Sequence, residues 1–452
     1  LLVALGMLVG NPLVSSWVAA ALMVASVTWM LAGVLPKRWA LAGGILLALS
    51  PFVQLVWSQS LLHGFLPASG SALLLGGLLR LRRRVEFASA FASGCGVGLL
   101  AISRPFEGLC CTVICAAMLW FAWKKCNLRE RWQRVLRTCL LAAGPVLAAI
   151  ALTAAHNQSV TGKWWQMPYQ LHESQYGVAP LFVFSSPKLG NMAKRADFPE
   201  VFYEYHAVDS LNWYRQRVGM RGWLRGVNDA SRELMRLTFP FVGMLVFSGV
   251  AWCRYSLTRN MALAVALQVS ASACVCWVYS HYLAPILPGL LLLCLLALRT
   301  SLRTRTGDRE KFFGFVVAAV CLIQVAVLGT FAAVVRSNEA EYWSHHRQEI
   351  VGQLSRVDGK HMVLVRYTAK HNVHQEWVYN LADPGASKIV WARYDEGRWI
   401  DALLDAYPDR QVWVIDADDP KPSLRSFPEH LQQHSSDASS HQARDRATDH
   451  GS

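Results

Sequence analysis

Charge is what this sequence has least of. Only 16% of its 452 residues are Asp, Glu, Lys or Arg, where a soluble chain carries roughly a quarter. The shortage is local. Long stretches of the first three quarters hold no charge at all, whereas the C-terminal quarter is ordinary in polarity. Also missing are a P-loop, a G-x-G-x-x-G and a G-x-S-x-G, so nothing points to nucleotide chemistry or a hydrolase elbow. No internal repeat is present. The 11 cysteines avoid the two large polar segments and show no zinc spacing. Cys110-Cys111 and Cys274-Val275-Cys276 lie inside apolar runs, where cysteine acts as a small hydrophobe. Disulfides, metal sites and cofactors are therefore not expected. The net charge of +14 does not indicate nucleic acid. A nucleic-acid binder gathers its Lys and Arg on a soluble face; here they sit in short loops between apolar runs.

What is there is apolar, at 53% of residues. A bilayer span needs about 20 mostly apolar residues. Candidate spans are a partial one at 1–9, then 13–35, 39–57, 61–79, 88–103, 107–123, 136–154, 237–253, 260–279, 283–298 and 312–335. Alternate connections are basic: Lys37–Arg38, Arg80–Arg84, Lys124–Arg137, Arg254–Arg259 and Arg299–Lys311. The short turns on the opposite side (10–12, 58–60, 104–106, 280–282) hold a single basic residue, Arg104. The positive-inside rule makes the basic side cytoplasmic. The fold class expected is an all-α polytopic membrane domain, about ten spans plus a partial first, over residues 1–335. It carries a large extracytoplasmic loop at 155–236, and a small C-terminal α/β domain follows at 336–420.

The loop 155–236 is rich in Trp and Tyr, which suits the headgroup level. Its stretch 209–236 is basic and amphipathic, as an interfacial helix would be. In the C-terminal domain, His361–Tyr367, Lys388–Tyr394 and Gln411–Asp416 read as buried strands, with helices near 339–356 and 397–407. Residues 421–452 are dominated by Pro, Ser, His and Asp without periodicity and read as a disordered tail.

Residues able to carry chemistry gather on the outer side. Arg104-Pro105-Phe106-Glu107 forms a tight outer turn. It is either a salt bridge and helix cap, or an Arg gripping a phosphate with Glu107 orienting it. His281-Tyr282 occupies another outer turn, as belt anchors or as contacts to substrate. His63 stands at the outer end of its span. Tyr169, Gln175 and Tyr176 belong to a run of aromatics interleaved with amides, which suits a sugar face or a membrane interface equally. His371, His374 and Glu376 have metal-ligand chemistry but lack further ligands, so a surface strand-to-turn segment is expected.

Taken together, R-P-x-E (Arg104 to Glu107), N-x-x-x-T-G running into P-Y (Asn157, Thr161, Gly162, Pro168, Tyr169), Q-Y-G (Gln175 to Gly177) and H-Y-x-x-P (His281 to Pro285) resemble bacterial GT-C fold membrane glycosyltransferases. These are the relatives of dolichyl-phosphate-mannose protein mannosyltransferases and the lipid A aminoarabinose transferase. The segment Val363–Asp416 looks like an appended domain of one branch of that group. The resemblance implies transfer of a sugar from a polyprenyl-phosphate donor to an envelope glycan, lipid or protein acceptor, at the outer face of the bacterial inner membrane. It makes Arg104 a donor-phosphate contact, with Glu107, His63, Tyr169, Gln175, Tyr176, His281 and Tyr282 as further substrate-binding residues. It also implies an acidic base in the first outer loop. The first outer turn here, Gly10-Asn11-Pro12, has no carboxylate, and Leu1 already lies within an apolar run. The expected position of the base is thus upstream of Leu1, or the copy is inactive. The alternative class is a non-enzymatic envelope protein or a lipid transporter, though almost no charge lies mid-span to couple transport.

Overall fold

The computed structural model describes residues 6–60, 64–192, 200–248, 255–303, 308–337, 343–381, 383–394 and 400–427. The chain divides into two compact units, one of residues 1–188 and 211–331, the other of residues 189–210 and 332–452.

The first unit is helical: α1 (Leu13–Ala32), α2 (Lys37–Ala48), α3 (Phe65–Leu81), α4 (Phe87–Ser103), α5 (Pro105–Ala122), α6 (Leu128–Thr161), α7 (Pro168–Gln175), α8 (Ser210–Arg217), α9 (Gly219–Thr238), α10 (Gly243–Ser248), α11 (Ser256–Ser272), α12 (Leu287–Arg303) and α13 (Arg309–Ser337). Five stretches are long and apolar enough to cross a membrane: Leu13–Ala32, Pro105–Ala122, Leu128–Thr161, Ala284–Leu302 and Arg309–Val334. This is the architecture of a membrane protein, with five such stretches among the described residues rather than the ten expected. The difference has local causes. The run 39–57 is broken after Ala48, where Ser50-Pro51 interrupts the amide ladder and the chain resumes as a π-helical turn, Val53–Trp57. Helices α3 and α4 are apolar but each has only 17 residues, about 25 Å at 1.5 Å per residue, and α11, also of 17, carries Arg259 and Asn260 near its start. Of the run 237–253, helix α10 is described, and residues 249–254 lie outside the described residues.

Helix α6 is longer than expected, 34 residues, or about 51 Å against a hydrocarbon core of about 30 Å. The Asn127 side chain caps its start, accepting from the Glu130 amide at 2.8 Å. Its end is Gly162, whose φ of 73° suits a residue without Cβ. The first seven residues of the expected outer loop are thus still helix.

Small residues let α3 and α4 touch backbone to backbone. A Cβ on Gly96 would stand 2.5 Å from the Gly70 carbonyl oxygen, and one on Gly70 2.9 Å from that of Gly96. The shared core gathers Met23, Val27 and Met30 of α1, Phe65 and Ala72 of α3, and most of α12, where Leu291, Leu292, Leu295 and Leu298 are fully buried. Buried hydroxyls turn back on their own helices, as Ser93 does to the Ser89 carbonyl at 2.9 Å. The amphipathic stretch read as interfacial is also part of this core. On α9, Ala230, Leu234 and Leu237 are buried within it, and Trp223 Nε1 donates to the Ser270 carbonyl at 3.2 Å. Its apolar face packs against protein because Gly222 and Gly226 let the helix come close.

The second unit is a four-stranded sheet of order β2-β1-β3-β4: β1 (Lys360–Arg366), β2 (Ile389–Arg393), β3 (Arg410–Asp416) and β4 (Arg425–Ser426). Strand β1 pairs parallel with β2 and β3, and β4 runs antiparallel to β3. The three apolar runs are the parallel strands, and their unbroken hydrophobicity is explained by burial on both faces. On one side Val363, Val365, Trp391 and Ile415 meet Ile350 and Leu354 of α14 (Trp343–Arg356). On the other, Met362, Leu364 and Val414 meet Ile400 and Leu403 of α15 (Ile400–Ala406). The pair Arg425–Ser426 lies in the stretch expected to lack regular structure, and its pairing extends the sheet. Residues 428–452 of the expected tail lie outside the described residues.

A segment distant in sequence completes this unit. The helical turn Glu200–Tyr203 runs into a π-helical stretch, Glu204–Asp209. Phe202 is buried at 1% exposure, with its ring 5.2 Å from that of Tyr367. The Arg393 guanidinium lies 3.9 Å from the Phe202 ring, and the Tyr205 ring is 5.4 Å from that of His374.

Candidate functional site

The turn between α4 and α5 is tight because one residue, Arg104, links two helices. Its amide donates to the Leu100 carbonyl and its own carbonyl accepts from the Gly108 amide, both at 2.7 Å. Pro105, with no amide proton to lose, opens α5, and Glu107 falls in the first turn, where the helix dipole favours a carboxylate. No ion pair joins Arg104 to Glu107 among the described residues. The guanidinium instead lies over the Tyr282 ring, 4.0 Å from its centroid. Burial pushes the Tyr282 phenol up, and the neighbouring Arg104 charge pulls it partway back. Glu107 is buried, and its carbonyl accepts from Gln268 Nε2 of α11 at 2.9 Å.

A short strap holds the other wall. Leu181–Val183 pairs with Cys274–Cys276 through the Phe182–Val275 bridge, with Val183 donating to the Cys274 carbonyl at 3.0 Å and Cys276 to the Leu181 carbonyl at 2.9 Å. Phe182 packs on Phe106 of the α4–α5 turn, ring centroids 4.9 Å apart. The strap continues into Tyr279, His281 and Tyr282, whose rings lie between 4.8 and 5.6 Å from one another. Trp57 fixes it from below: fully buried, it donates from Nε1 to Ser280 Oγ at 3.2 Å. An apolar groove opens nearby among α3, α5, α11 and α12, lined by Leu75, Cys115, Met118, Val265 and Gly289, and by Gln268. Gln268 therefore joins the groove to the Glu107 backbone.

Of the residues expected to bind substrate, Arg104, Glu107, His281 and Tyr282 come together here. Tyr169 lines a separate cleft with Glu173, Pro180, Phe182, Ser186 and Lys188, linked to the first site through Phe182. Gln175 and Tyr176 end α7 exposed to solvent, with the Tyr176 ring 5.6 Å from that of His172. His63 lies outside the described residues. The N-x-x-x-T-G motif has a structural use: Thr161 Oγ1 donates to the Asn157 carbonyl at 2.9 Å and Asn157 Nδ2 to the Trp164 carbonyl at 3.1 Å, closing the end of α6.

Comparison with family models, curated proteins and solved structures finds no match to this chain.

No group of three or more His, Cys, Asp or Glu among the described residues is arranged to hold a metal ion. His371, His374 and Glu376 go to different partners. His371 Nδ1 lies 2.7 Å from Asp418 Oδ1, and Glu376 binds the Tyr367 hydroxyl and the Arg393 guanidinium. Burial pushes the Glu376 carboxyl up, but the bonds from Tyr367 and Arg393 outweigh it and the net direction is down. Residues that sequence reasoning passed over are Trp57, Phe182, Gln268, Tyr279 and Ser280. Each sits in an apolar run or an aromatic loop, where nothing local separates it from its neighbours.

Proposed function

We propose that the helical unit binds the phosphate of a polyprenyl-linked sugar at Arg104 and transfers the sugar to an envelope acceptor, at the outer face of the bacterial inner membrane. The observation that carries this reading is the adjacency of Arg104, held over Tyr282, to an apolar groove reached through Gln268. A lipid phosphate needs both features, a fixed cation for its head and an apolar lining for its first isoprene units. A guanidinium has five N–H donors, so one held on an aromatic face keeps donors for two phosphate oxygens. The resemblance of R-P-x-E and H-Y-x-x-P to the GT-C glycosyltransferases supports the same assignment. The positive-inside pattern supports the outer orientation.

The test is binding of undecaprenyl phosphate to purified full chain in detergent, read beside melting temperature. Arg104→Ala is expected to weaken binding roughly tenfold to more than a hundredfold, the range of a charge-assisted contact of about 1.5–3 kcal/mol. Arg104→Lys recovers part of it, keeping the charge and losing the fork. If both variants melt early while the folded fraction binds as before, Arg104 is a structural residue and the reading fails. Binding without sugar transfer to any envelope acceptor points to a lipid transporter instead.

A further inference from the structure

A second cleft of the helical unit is independent of the Arg104 reading. It has a volume of about 360 Å³ and lies between α8, α9 and the strap at Cys276–Tyr279. Its walls are aromatic: Trp213, Trp277 and Tyr279, with Trp213 and Tyr279 exposed at 36% and 42%. Two arginines line it, Arg217 and Arg225, against one carboxylate, Asp229. Arg217 donates from Nη2 to Asp229 Oδ2 at 2.6 Å, and that pair neutralises itself. The Arg225 charge remains, on an exposed side chain at the rim of the cleft.

The position of Arg217 is built rather than incidental. Its Nη1 is buried without a hydrogen-bond partner among the described residues, and an added Cβ on Gly226 would stand 3.0 Å from it. Glycine at 226 is what lets the guanidinium lie against α9. Held there and paired with Asp229, Arg217 shapes the wall of the cleft, and Arg225 is left as the cation that a ligand can reach. Exposed indole and phenol faces beside a cation suit a ligand that is both ring-shaped and anionic. Apolar C–H faces cover the aromatics, and the charge meets Arg225.

We propose that this cleft binds an acidic sugar, its ring against Trp213 and Tyr279 and its carboxylate or phosphate on Arg225. Trp213 and Trp277 provide the readout, since a ligand seated there changes their fluorescence. Full chain in detergent is titrated with glucuronate, glucose 1-phosphate, glucose and inorganic phosphate. Saturable quenching by both acidic sugars is expected, with glucose and inorganic phosphate at least about tenfold weaker. Arg225→Gln, at an exposed position, is expected to weaken the acidic sugars at least about tenfold without moving the melting temperature. Trp213→Ala, read by saturation-transfer NMR, weakens them too. Arg104→Ala leaves this binding unchanged, which separates it from the lipid-phosphate reading. The proposal is overturned by an absence of saturable binding to either acidic sugar. It is also overturned if glucose or inorganic phosphate binds as tightly, or if the acidic sugars bind Arg225→Gln as they bind the native chain.

Discussion

The two units of this chain deal with buried polarity in opposite ways. The helical unit buries few ionisable groups, Glu107 among them, and satisfies many of its buried hydroxyls locally, as Ser69, Ser93 and Thr300 do by bonding their own helix one turn back. The sheet unit buries charge and ties it to distant backbone. Arg347 donates from Nε to the Trp377 carbonyl at 2.9 Å and from Nη1 to the Tyr379 hydroxyl at 2.7 Å, while its guanidinium covers the Trp391 ring at 4.3 Å. Arg410 donates to the carbonyls of Ser387, Pro384 and Gly385, at 2.8, 3.0 and 3.0 Å. The first strategy tolerates many substitutions of one apolar residue for another. In the second, single side chains each hold several partners, so individual losses are severe.

The largest expected effect therefore falls in the sheet unit. Arg347→Ala strips a partner from the buried Trp377 carbonyl, releases the Tyr379 side chain and uncovers Trp391, a loss of about 3–5 kcal/mol. Hydrogen exchange across β1 and β3 of the full chain is expected to speed up by more than a hundredfold, with α1 and α12 unchanged. Equal acceleration in the helical unit would break the comparison. Next comes Gly96→Leu. The α3–α4 contact has no room for a side chain, and overpacking costs about 1–3 kcal/mol, read as a lower melting temperature of the helical unit. Gly314→Leu, on α13 where an added Cβ meets nothing within 4 Å, is the matched control and is expected to be nearly neutral.

The smallest effect is a dependence on pH. Asp418 is partly buried, which pushes its carboxyl up. The bonds from His371 and from the Thr368 amide and hydroxyl outweigh that, and the net direction is down. A carboxylate whose folded value lies below its unfolded value of about 3.9 adds stability above that pH and loses it as pH falls through the folded value. Asp418→Asn is thus expected to destabilise the sheet unit near neutrality, with the gap to the native chain narrowing as pH falls below about 3.9, in chemical denaturation monitored by the tryptophans of the sheet. A gap that does not narrow at all on acidification assigns the stabilisation to shape rather than charge.

Legibility in the sequence also divides along the two units. In the sheet unit three short unbroken apolar runs flanked by turn residues gave strands within one or two residues, because a parallel strand buried on both faces has no other composition open to it. In the helical unit apolar runs located helices but not their lengths. Composition registers a hydrophobic residue and not whether lipid or another helix covers it. Hence α9 read as an interfacial helix although Ala230, Leu234 and Leu237 are core, and α6 read as the span 136–154 although the helix runs on at both polar ends to 34 residues. The Arg104 turn was visible because the other short turns of its alternate set, 10–12, 58–60 and 280–282, hold no Lys or Arg. Its partner Tyr282 was visible as a pair with His281. Gln268 and Trp57 were not, since the residues they join lie far away in sequence, at Glu107 and Ser280.

The seating of Phe202 among Tyr367, His371 and Arg393 bears on how the chain is made. Residues 189–210 leave the ribosome long before the strands that receive them, and all of α8 to α14 must follow first. Until β1 and β2 emerge, Phe202 and its neighbours have no partner within their own unit, and that contact is far from local in sequence. Such late, non-local closure is slow and leaves apolar surface open to misassembly in the interval. A nascent chain arrested before Lys360 should accordingly be cut by protease within 200–210, and one released after Ser426 should not. The same separation means that the sheet unit expressed from residue 340 onward would fold with its Phe202 socket open, and a peptide spanning 189–210 added in trans should fill it.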